Sequence, residues 1–168
     1  VKDRMPNLLE EATYWCHLLA HNQWDLSDAI IKDPGQAAFH RAMRLSQGTV
    51  AVSDREGTMF TRAWCCYEAY VSLVGRSPSY LFDIYTSIPG KGKSVGLADG
   101  ATTSDLVGTI SGPSKMGRER LFPLDLIRRS LTLRLEHAQS SVDIDRIRIL
   151  NAIAGESKQN LDQTPPSQ

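Results

Sequence analysis

The residue of this chain best suited to chemistry is Glu68. It lies in FTRAWCCYEAYVSLVG, Phe60 to Gly75, a stretch that is almost wholly apolar apart from Arg62 and Glu68. On a helix it shares a face with Trp64 and Val71, at spacings of four and three. A carboxylate on an apolar helix is costly unless it is paired or used. Two readings stand side by side: a working carboxylate, or a Glu at the rim of a core helix bonded to neighbouring backbone. Trp64 reads first as core, because aromatic side chains dominate buried faces.

Other chemistry-bearing groups carry less signal. Cys65 or Cys66 with His17 or His40 would make a Cys–His nucleophilic pair, but no supporting signature accompanies them. Adjacent cysteines on a buried helix usually act as small apolar residues. Cys16, His17 and His21 with Cys65 are zinc-ligand types in a spacing that fits no familiar site, so no metal is expected. GKGKS at 90–94 resembles a phosphate loop, but Ser87 stands where the first Gly of GxxxxGK[ST] is needed; a flexible basic loop is the simpler reading. Asn22 and Gln23, at the end of an apolar run, would either line a ligand pocket or cap a loop.

The elements that position these residues follow from patterning. Thr61 is the expected N-cap of the helix carrying Glu68, and Gly75 its left-handed end. Apolar runs predict strands at Tyr14–Leu19, Thr49–Val52, Tyr80–Tyr85 and Leu131–Leu135, with weak strands around 94–98 and 106–110. Helical patterns occupy Gln36 to Leu45, Phe122 to Arg129 and SSVDIDRIRILNAIAG; the last has Ile144, Ile147 and Leu150 on one stripe and Gly155 as its stop. A short helix is expected within DLSDAII. Strands alternating with helices predict an α/β fold with a parallel sheet. Residues 1–155 read as one domain, with 88–120 as a loop insertion and 156–168 as a disordered polar tail.

Length and composition set the frame. The 168 residues suffice for a real core, with 41% apolar and 23% charged residues, as in ordinary globular chains. A net charge of zero favours neither nucleic acid nor an anionic membrane as a partner. No apolar run approaches the length of a membrane span. Three cysteines, two of them adjacent, make a poor disulfide framework, so reduced thiols and a cytoplasmic location are expected. The chain opens on Val1 rather than Met, which points to the rest of a longer polypeptide as a partner.

The run FHRAMRLSQGTVAVSDREGTMFTRAWCCYEAYVSL resembles the central block of a TIR (Toll/interleukin-1 receptor) domain. Ala42 and Ser46 fall at the end of its helix, Val50 to Ser53 on its β-branched strand, and Trp64-Cys65-Cys66-Tyr67-Glu68 on its Trp-Cys-x-x-Glu helix opening. Asp33-Pro34-Gly35 lies where the family has its loop before that block. A TIR-like branch in large predicted proteins of single-celled eukaryotes is closer still, through Asn22-Gln23, Phe60 to Glu68, and Asp145 to Asn151. The matching blocks cover about half the chain. The resemblance implies a flavodoxin-like, mainly parallel sheet flanked by helices, with the first strand lacking from residues 1–12. It implies self-association through TIR-like surfaces. It also implies cleavage of the nicotinamide–ribose bond of NAD+, a substrate and not a bound cofactor, with Glu68 as the key carboxylate beside an oxocarbenium-like cation. Asn22, Gln23, Ser53 and Trp64 would then line the substrate cleft at the C-terminal ends of the strands. The other reading is a non-catalytic assembly module, because fold does not fix function.

Overall fold

A computed structural model of the chain describes residues 13–20, 32–74, 80–88, 93–96, 120 and 122–165. Val1–Ile31 and Lys32–Gln168 form two compact units. In the first, residues 13–16 carry no regular structure and His17–Ala20 form one helical turn, α1. The strand expected at Tyr14–Leu19 is therefore absent. The run holds no β-branched residue, and a short apolar run does not by itself separate strand from helix. Asn22, Gln23 and the helix expected within DLSDAII lie outside the described residues.

The second unit begins with Asp33, whose Oδ1 accepts from the Gly35 N–H at 2.9 Å and starts the 3₁₀ turn Pro34–Gln36. The His40 Nδ1–H donates to the Gly35 carbonyl at 2.7 Å and ties that turn to the next helix. This helix, α2 (Ala38–Leu45), buries Phe39 and Met43 at a spacing of four. β1 (Gly48–Ser53) follows, then a 3₁₀ turn at Thr58–Thr61, then α3 (Ala63–Leu73). β2 is Leu81–Ile88 and β3 is Lys93–Gly96. α4 is Leu124–Ser130, a 3₁₀ turn spans Leu135–His137, and α5 is Asp143–Ile153.

β1 and β2 pair in parallel from Gly48↔Leu81 to Ser53↔Thr86, connected through α3, as the sequence pattern predicts. β3 then pairs antiparallel with β2, from Tyr85↔Gly96 to Ile88↔Lys93. The three-stranded sheet is thus mixed, in the order β1-β2-β3. Only four residues separate Ile88 from Lys93, too few for the crossover a parallel strand requires, so β3 must return as a hairpin. Gly48 is needed where the strands meet: a Cβ there would lie 2.7 Å from the Leu81 carbonyl oxygen and 2.8 Å from its Cβ.

α3 packs against α2 and α5 as well as β1 and β2. Its buried stripe is Ala63, Tyr67 and Val71, at spacings of four. Phe39 meets Trp64 and Tyr67 edge-on, with ring centroids 5.5 and 6.0 Å apart, and burial of one such side chain stabilises by roughly 1.5–3 kcal/mol. A second cluster joins Val95 with Phe122 and Leu126, backed by Ile84 and Ile127. α3 begins two residues after the expected cap, with Arg62 at the N-cap and no side-chain cap bond. Gly75, expected to end it, lies outside the described residues.

Three other expectations fail. Leu131–Leu135 is a turn leading into a 3₁₀ segment, because its alternating leucines face no core: Leu131 is 81% exposed. The stripe of α5 is not Ile144, Ile147 and Leu150; the buried residues are Asp145, Arg148, Ile149 and Asn151. Residues 156–165, expected as disordered tail, fold back on that polar face. Asn151 Nδ2 donates to the carbonyls of Leu161 and Gln163 at 2.9 and 2.7 Å, Arg148 Nε pairs with Asp162 at 2.6 Å, and Leu161 is buried. Gly155 does end the helix, at φ 81°.

Candidate functional site

Glu68 sits in the middle of α3, half-buried, and lines a cavity of about 150 Å³ with Thr49, Val50, Ala51, Val52, Met59, Cys65, Ala69 and Phe82. The helix following β1 carries Glu68 back along the strand. The cavity runs beside β1 from Thr49 to Val52 and reaches Met59 in the turn that follows the strand. Its walls are largely apolar, with the Glu68 carboxylate, the Cys65 thiol and the Thr49 hydroxyl as the polar side chains. The Thr49 hydroxyl is itself engaged, 2.6 Å from the Tyr80 hydroxyl.

The other expected site residues do not join Glu68. Ser53 is 3% exposed and its Oγ donates to the carbonyl of Asp54 at 2.9 Å. Trp64 turns into the aromatic cluster, 6.4 Å from Tyr67 between ring centroids, and its indole N–H donates to the Asp145 carboxylate. Neither residue lines the cavity. Trp64 acts as core, the plainer of its two readings.

The two thiols of α3 are held as thiols. Burial raises the pKa of Cys65, and the Glu68 charge raises it further against the pull of Arg62. Burial and the neighbouring Cys65 push Cys66 up to about 11, and its Sγ–H donates to the Phe60 carbonyl at 3.2 Å. A nucleophilic cysteine needs the opposite shift, so neither serves a Cys–His pair at neutral pH. Burial, with the Asp33 and Tyr70 charges, pushes the Tyr67 hydroxyl up to about 12. Among the described residues no three His, Cys, Asp or Glu side chains converge in a group that would hold a metal. No helix among the described residues is long and apolar enough to cross a membrane.

The polar cluster that sequence reading missed lies on α5. Asp145, Arg148 and Asn151, spaced by three, are 5%, 6% and 1% exposed. Burial raises the pKa of Asp145 even though Trp64 and Arg148 favour its charged form. Arg148 Nη1 and Asn151 Oδ1 are buried with no hydrogen-bond partner among the described residues. The signal was present in the spacing of three polar residues on one helical face, masked by the isoleucines between them. Comparison of the chain with protein-family models, with curated proteins and with solved structures finds no match.

Proposed function

We propose that the chain is a TIR-like signalling module that acts through protein–protein contacts. One observation carries this reading: two of the side chains that would have to converge with Glu68 for catalysis, Trp64 and Ser53, are spent on the fold. Trp64 binds Asp145 and packs on Phe39, Ser53 bonds adjacent backbone, and Glu68 faces a cavity of about 150 Å³. Pockets for whole cofactors or drug-sized ligands run to roughly 300–1,000 Å³. The order α2, β1, α3 agrees with the helix–strand–helix block on which the resemblance rests, and the flavodoxin-like arrangement remains part of the same proposal.

A second reading has its own support. Glu68 does line a cavity large enough for a single small ring, which keeps cleavage of NAD+ as the competing function. The two separate in one assay. The chain is incubated with NAD+ over a concentration series that spans its assembly states, and free nicotinamide is measured. Under the assembly reading wild type releases none. Release that disappears in Glu68→Gln, which keeps the side-chain length and removes the charge, overturns it in favour of the enzyme. Release that survives Glu68→Gln also overturns it and places the working carboxylate elsewhere.

A further inference from the structure

β1 stands at the edge of its sheet among the described residues, and its outer side carries the pattern for a specific contact. The Gln47 carbonyl accepts from the Leu81 N–H at 3.0 Å. Backbone groups of alternate residues in a strand point to opposite sides, so Thr49, Ala51 and Ser53 turn theirs toward β2. Gly48, Val50 and Val52 turn theirs to the outer edge. Native edges are ordinarily blunted by charge, proline, a bulge or brevity. GTVAVS has no charge and no proline, and pairs over its whole length without a bulge. The side chains on the outward-bonding residues are the exposed ones: Val50 is 44% exposed and Val52 76% exposed.

We infer that β1 pairs antiparallel with β1 of a second copy of this chain, about a two-fold axis at Val50, giving one continuous six-stranded sheet. This rests on the assembly reading above and names its partner and its surface. Three features select a second copy in this register. With Val50 opposite Val50, residue 52 of each strand falls opposite residue 48 of the other, so each exposed Val52 lies across from a glycine that has no side chain. The six residues bring no charge against themselves across the axis. The flanks are complementary: exposed Arg44, in the last turn of α2, precedes β1, and exposed Asp54, Arg55 and Glu56 follow it with one net negative charge. The Asp54 carboxyl is kept ionised by its bonds from Thr58, which lower its pKa. Antiparallel pairing brings the basic end of one strand to the acidic end of the other, whereas parallel pairing sets like beside like.

The test is the mass of the whole chain in solution across a concentration series, by sedimentation. A dimer is expected, and Val50→Lys, which sets two ammonium groups opposite each other at the axis, should raise its dissociation constant at least tenfold. A second measurement uses position. In a Cys16→Ser background, Val50→Cys should form a disulfide-linked dimer under mild oxidation, since paired residues at the axis lie about 5.5 Å apart at Cα, within disulfide reach. Val52→Cys, facing Gly48 of the other copy, should not. A monomer at every concentration, a dimer indifferent to Val50→Lys, or Val52→Cys linking as readily as Val50→Cys each overturns the inference. Those results leave the assembly reading standing with another partner or surface. Nicotinamide release that requires Glu68 would overturn that reading instead, without touching the edge.

Discussion

Single side chains in this molecule are judged by whether their partners lie within the fold. Asn151 is the clearest case. Its one amide group reaches the carbonyls of Asn160, Leu161 and Gln163 and thereby fixes the turn that brings Leu161 into the core. Asn151→Ala should lower stability by about 1–3 kcal/mol, the usual consequence of leaving buried carbonyls unpaired, and urea unfolding measures it. A loss below about 0.5 kcal/mol would mean that Arg148 and Asp162 hold the segment by themselves. Glu68 was legible from sequence as the conspicuous carboxylate, and it does line a cavity. What sequence could not provide was the direction of Trp64. Its neighbour four residues on suggested a shared site, but the ring is claimed by Phe39 and by Asp145, residues distant in the chain.

At the level of elements, local signals succeeded where they were redundant. β1 has β-branched residues and turn residues behind it, and α2 has an amphipathic pattern, so both were readable; α5 was readable as a helix but not in the face it buries. Leu131–Leu135 offered alternation alone, and alternation without something to bury against does not make a strand. The polar face of α5 was misread because the 156–165 segment that covers it looked too polar to fold, yet its backbone carbonyls are what Asn151 requires. β1 and β2 depend on a close approach at Gly48 and Leu81. Gly48→Ala would force a Cβ to within 2.7 Å of the Leu81 carbonyl oxygen. The strands must then separate locally, at an expected cost of about 1–3 kcal/mol. Equilibrium denaturation gives the magnitude, and backbone chemical shifts at Leu81 should move with it. An unchanged midpoint would mean that this pairing end is already loose.

Across the whole molecule, charge sets the response to acid. Burial tends to raise the pKa of Asp33, but the bonds from Lys158, Gly35 and Gln36 outweigh it and the value is lowered. The bonds from Thr58 lower Asp54, and the bond from Arg148 lowers Asp162. Each contributes stability that is complete above the unfolded carboxylate value, about 4, and lost as pH falls through the lower folded value. Asp145 has the opposite sign: burial raises its pKa, so the folded state takes up its proton first and gains stability as pH falls. Among the described residues, three lowered carboxylates against one raised predict stability that is flat from about pH 7 to 5 and declines below about 4. Asp145→Asn should remove the gain that Asp145 supplies as pH falls toward about 4 and leave the decline below it unchanged, and urea midpoints measured across the range test both statements. One contact binds the molecule over a long stretch of sequence. The Gln139 N–H donates to the Thr61 carbonyl at 2.7 Å, and the Ala63 N–H donates to the Gln139 carbonyl at 2.8 Å, so the uncapped start of α3 is closed by a residue that lies beyond both β2 and β3. A chain emerging from the ribosome has β1, α3 and β2 in hand well before Gln139 exists. The helix that bears Glu68 thus spends part of its synthesis with an open first turn, and its geometry becomes final only when the late segment arrives to close it.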